Sequence, residues 1–188
     1  SLKYDGTRIV VHVFQYRGSW VCVGVCRRGQ VWFVPCLEAC TAMVVDCEYV
    51  HRCQKFVAFD LLVLNNRVLT GPYRERVSIM SGVKLPVLAC QYTIACKVFY
   101  PLGVLSSRWY AEQAALHSVD GVIIHDGTSV LQRVSRMYKW KPEHTVDLYV
   151  GDNLMMMDGK FTAFKPLCSD HGKVLRKGEI WECAFVGN

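Results

Sequence analysis

Alternation of apolar and polar positions dominates the first third of the chain and predicts antiparallel strands. Residues 9–15 are β-branched and apolar, 20–26 alternate, and Arg27-Arg28-Gly29-Gln30 forms a turn into a strand over 31–34. Two more strands are predicted over 42–50 and 56–64, the second closed by Asn65-Asn66. Residues 73–83 have helical character, and Leu85-Pro86 ends the run because a proline drives the preceding residue out of the α region. Residues 90–99 read as strand, 105–117 as a helix free of breakers, and 119–125 and 136–141 as strands. Beyond Thr145, short strands alternate with glycine-containing turns over 146–150, 154–157, 160–164 and 179–186. The pattern predicts an α+β chain dominated by antiparallel sheet. Its core is expected over residues 1–145, with the start of a small β-barrel over 146–188.

Composition changes this picture little. The 188 residues are 52% hydrophobic and 20% charged, which excludes a disordered chain. A net charge of +6 suits a polyanionic partner such as a nucleotide or RNA. No apolar run approaches the roughly 20 residues that span a bilayer, so no membrane partner is expected. Among the ten cysteines, Cys22, Cys26, Cys36 and Cys40 have the spacing of a four-thiolate zinc set. The alternation around Cys22 and Cys26 favours small apolar residues packed on one face instead. Without a secretory signal, reduced thiols in an intracellular protein are expected, whether nuclear or in a cytoplasmic viral factory. The chain starts without Met, two residues before its first motif, and is expected to be a segment of a larger polypeptide.

Five short motifs carry candidate chemistry. They are Lys3-Tyr4-Asp5-Gly6-Thr7-Arg8, Asp46-Cys47-Glu48, Phe59-Asp60, Asp120-Gly121 and Lys139-Trp140-Lys141-Pro142. Each alone has an ordinary reading as a strand end or a turn. Their order resembles the covalent nucleotidyltransferase superfamily of mRNA capping enzymes and polynucleotide ligases. Asp120-Gly121, where ligases usually carry Glu-Gly, tilts the resemblance toward capping. So do Lys139-Trp140-Lys141-Pro142 followed by Thr145-Val146-Asp147-Leu148, and Tyr73-Arg74-Glu75-Arg76. His144 and Leu148 depart mildly from the capping pattern.

The resemblance implies an antiparallel-sheet nucleotidyltransferase (ligase-type) fold followed by the start of an OB-fold barrel. It implies that Lys3 takes GMP from GTP as a phosphoramidate and passes it to the 5′-diphosphate end of an RNA. Arg8, Glu48, Phe59, Lys139 and Lys141 would bind the nucleotide, Phe59 by stacking on guanine and Arg8 at the ribose or a phosphate. Glu48 would hold a ribose hydroxyl or assist a Mg²⁺ or Mn²⁺ ion, with Asp120 beside the same metal. Lys139 and Lys141 are expected on opposite faces of their strand, doing different work. An amine attacks phosphorus only when unprotonated; Lys139, Lys141, Arg8 and the metal are the cations expected to favour that form of Lys3. The basic R-x-D-K-type motif of the family's barrel is not found, although residues 178–185 resemble the strand before it. Triphosphatase or methyltransferase domains in the same polypeptide are the expected partners. The rival readings are an ATP-dependent RNA or DNA ligase core, and a non-catalytic RNA-binding scaffold.

Overall fold

The computed structural model describes residues 1–131, 137–142, 145–150, 155–157, 160–162 and 176–184. It divides into two compact units, Ser1–Trp140 and Lys141–Asn188. The chain is mixed α+β and rich in strand, as the alternation predicts.

Among the described residues, the first unit holds two sheets. β2 (Thr7–Tyr16), β3 (Ser19–Cys26), β4 (Val31–Pro35), β5 (Met43–Val50), β6 (Lys55–Leu64) and β7 (Arg67–Val68) run in the order β4-β3-β2-β5-β6-β7. The smaller sheet joins β1 (Leu2–Tyr4), β9 (Val119–His125) and β10 (Met137–Trp140) in the order β1-β9-β10. Period-two alternation gives the large sheet two unlike faces. One buries Ile9, Val11, Val13, Cys22, Val45, Cys47, Phe56 and Ala58 in the core, closed by Met80 of α1 (Tyr73–Gly82). The other face carries Arg8, Asp46, Glu48, Val57 and Asp60, whose strand partners match in register.

Two expectations for single elements change. The strand expected over 90–99 contracts to β8 (Thr93–Cys96), which pairs in parallel with β6. Cys90 takes a left-handed φ of 64°, which breaks the extended run before it. The helix expected from residue 105 starts later, as α2 (Ser107–Leu116). Ser106 is its N-cap, its hydroxyl accepting from the Trp109 amide at 3.1 Å.

Cys22 and Cys26 both face the core, and the described cysteines are all free thiols. Cys22 lies near Cys36 and Cys40, and burial pushes the Cys22 and Cys36 thiols up to about 12.

The second unit carries β11 (Thr145–Val150), β12 (Met155–Met157), β13 (Lys160–Thr162) and β14 (Ile180–Ala184) in the antiparallel order β13-β12-β11-β14. Leu148 and Val150 are buried there against Trp181 and Cys183. The expectations for Arg136, Glu143, His144 and Leu154, and for residues 163–164 and 185–186, lie outside the described residues. Among the described residues, no helix is long and apolar enough to cross a membrane.

Candidate functional site

A cavity of about 700 Å³ opens between the polar face of the large sheet and the small sheet of the first unit. Lys3, Arg8, Glu48, Phe59 and Lys139 all line it. Of the residues singled out from sequence, Asp120 joins the group through Lys3. The Lys3 ammonium donates to both Asp120 carboxylate oxygens, at 2.6 and 2.5 Å. Lys141 belongs to the second unit.

Irregularities in strand pairing aim two of these side chains. Lys3 pairs with Gly121 and Tyr4 with Val119, so Asp120 is an extra, bulged residue. A bulge re-aims the side chain it inserts, which lets Asp120 reach Lys3 on the neighbouring strand. Phe59 is likewise skipped between the pairs Asp46–Asp60 and Cys47–Ala58. The Tyr73 hydroxyl donates to the Phe59 carbonyl at 2.7 Å. Gly6 lies so close to β5 that a Cβ there would overlap the Tyr49 carbonyl group, which explains a glycine next to Asp5.

The expectation of opposite faces for Lys139 and Lys141 fails on the strand's own period. Residues two apart share a face, and β10 ends at Trp140 before Lys141 can extend it. Lys139 pairs with Ile123 and Lys3 with Gly121, so the two lysines flank the cavity side of β9.

Three charged groups of the large sheet and Arg76 of α1 are tied up in two forks. Arg8 Nε donates to Asp46 at 2.9 and 3.2 Å, with a further short bond from its terminal nitrogen. Arg76 Nε and a terminal nitrogen donate to the two oxygens of Asp60, at 2.8 and 2.7 Å. Without these bidentate partners, Asp46 and Asp60, paired across β5 and β6, would repel each other in a buried position. Arg8 remains half exposed, 5.8 Å from the Phe59 ring centroid. Burial raises the Glu48 carboxyl above the usual range, a shift that the nearby Lys3 and Lys97 ammonium groups oppose.

Sequence reasoning missed Lys97 and His125. Lys97 follows β8, is only 8% exposed, and places its ammonium 5.6 Å from the Phe59 ring and 6.0 Å from the Tyr4 ring. Burial, opposed by Glu48 and reinforced by Lys3, lowers it to about 8. The available signal was a lone lysine in the otherwise apolar run of residues 94–100. His125 ends β9 and lines the same cavity; Arg27 and Arg28 of the β3–β4 turn line it too.

A planar aromatic face, several cations and half-buried carboxylates in one cavity suit a ligand that is flat at one end and anionic at the other. Among the described residues, no three His, Cys, Asp or Glu side chains converge as an all-protein metal site. Magnesium rarely uses such a cage; it takes one or two carboxylates plus substrate phosphates, a role that fits Glu48 and Asp120. Comparison with protein-family profiles gives no match for this chain, and comparison with curated proteins gives none.

Proposed function

We propose that the first unit is the core of a covalent nucleotidyltransferase that forms Lys3–GMP from GTP and transfers GMP to a 5′-diphosphate RNA. One observation carries this reading. Lys3, Arg8, Glu48, Phe59 and Lys139, spread over most of the unit's length, line a single cavity, and Asp120 holds the Lys3 amine. The cavity volume falls in the range of small-molecule sites. On this reading the unit has the ligase-type nucleotidyltransferase fold, and the second unit begins an OB-fold barrel.

In the first step the Lys3 nitrogen attacks the α-phosphorus of GTP; the N–P bond forms and pyrophosphate leaves. The ammonium must first lose a proton, and Asp120 is the acceptor already within hydrogen-bonding distance. Arg8, Lys97 and Lys139 offset the negative charge that builds on the phosphates. Phe59 stacks on the base, a contact worth about 1–3 kcal/mol between bases and aromatic side chains. A Mg²⁺ or Mn²⁺ ion held by Glu48 and Asp120 would add positive charge at the α-phosphate. In the second step an oxygen of the RNA β-phosphate displaces the Lys3 amine, giving a 5′–5′ linkage. A nuclear or cytoplasmic RNA-processing role, with further capping activities in the same polypeptide, belongs to this proposal.

The test is covalent labelling with α-labelled GTP or ATP in the presence of Mg²⁺, followed by peptide mapping. The expected adduct forms with GTP, maps to Lys3 and disappears in Lys3→Ala. An adduct formed only with ATP makes the protein a ligase-type adenylyltransferase. No adduct at all, with Lys3→Ala indistinguishable, makes it a binding scaffold. Mapping to Lys97 would overturn the assignment of the nucleophile.

A further inference from the structure

His125, one of the residues lining the cavity, carries a polar atom without a partner. Among the described residues, His125 Nε2 is buried and makes no hydrogen bond. Leaving such an atom unpaired is costly, so its position next to a binding cavity points to a ligand group. The ring cannot easily turn away. It stacks on Tyr73 with centroids 4.7 Å apart and planes 12° from parallel, and Phe99 meets it edge-on at 6.1 Å. Tyr73 is itself fixed by its bond to the Phe59 carbonyl. The nitrogen is therefore held in place by the contacts that hold the expected base-stacking residue.

We propose that His125 is a specificity-determining residue, its Nε2 forming a hydrogen bond with the polar edge of the purine base stacked on Phe59. This deepens the nucleotidyltransferase reading and rests on it. Burial, then the Lys97 ammonium, lower the imidazole to about 4, so it is neutral at physiological pH. A neutral imidazole donates from one nitrogen and accepts at the other, whereas Lys97 only donates. The pair thus matches a base edge that presents both a donor and an acceptor. A site built to hydrogen-bond its substrate rejects analogues that lack the matching group far better than an apolar pocket does.

The experiment compares adduct formation from GTP, ITP and ATP in wild type, His125→Phe and His125→Gln. Phenylalanine keeps the stack on Tyr73 and removes the nitrogen; glutamine restores an amide near the Nε2 position. His125→Phe is expected to lower kcat/KM for the preferred purine about tenfold and to bring the three nucleotides closer together, with partial recovery in His125→Gln. Lys3→Ala supplies a second measurement that does not depend on a foldable His125 variant. Its His125 imidazole ¹⁵N resonances should shift on adding GTP but not on adding inorganic tripolyphosphate. Unchanged nucleotide ratios in His125→Phe, or equal responses to GTP and tripolyphosphate, overturn the role of His125 and leave the parent reading intact. A wild type labelled by no nucleotide overturns both.

Discussion

Lys97→Met keeps a long, unbranched side chain but removes an ammonium that is only 8% exposed. Burial brings that group from an ordinary 10.5 down to about 8. At about 1.4 kcal/mol per tenfold change in proton affinity, holding the charge inside the fold costs about 3 kcal/mol. Against this, the Tyr4 and Phe59 rings lie 6.0 and 5.6 Å from the ammonium, at the outer limit of a cation–π contact, and losing them forfeits about 0.5–1 kcal/mol each. The variant is expected to be more stable than wild type at pH 7 by about 1–2 kcal/mol, while binding nucleotide more weakly. The pH dependence follows from the direction of the shift. Between about 8 and 10.5 the unfolded chain binds the proton that the folded chain has released, so wild-type stability rises with pH across that window. The advantage of Lys97→Met is therefore complete below pH 8 and shrinks toward alkaline pH. Urea unfolding of both proteins at pH 7 and pH 9.5 reads this difference. A variant less stable than wild type at pH 7, or an advantage that does not shrink at pH 9.5, would refute the picture of a buried charge held at a net cost.

Other expectations test how the cavity is held. Arg76→Met leaves the buried Asp60 carboxylate without its fork and is expected to cost about 3–5 kcal/mol in urea unfolding. Tyr73→Phe removes the bond to the Phe59 carbonyl, with an expected loss of about 1 kcal/mol of stability and a weaker nucleotide affinity by titration calorimetry. Gly6→Ala pushes a methyl group into the Tyr49 carbonyl, and thermal unfolding should show destabilisation of about 1–3 kcal/mol together with loss of nucleotide labelling.

The pattern of residues 9–64 was enough to lay out β2 to β6, because a half-buried strand imposes period two on its side chains. The same logic carried β9, whose residues 119–125 were legible as they stand. Short motifs pointed to Lys3, Arg8, Glu48, Phe59, Asp120, Lys139 and Lys141 as one chemical group, but not to how they meet. That depends on pairing. The bulges at Asp120 and Phe59 exist only once β1 lies against β9 and β5 against β6, and a one-residue slip in a strand reverses the face of a side chain. Lys97 and His125 stayed hidden for a related reason. Each sits in or beside an apolar run, where local pattern describes a strand, and only tertiary packing turns the end of that strand into a cavity wall. Sequence by itself determined the strand-rich class and brought Lys3 forward as a candidate nucleophile. The neighbours of that lysine, the depressed Lys97 and the unpaired nitrogen of His125 were decided by the fold, because desolvation and register are properties of contacts between distant segments.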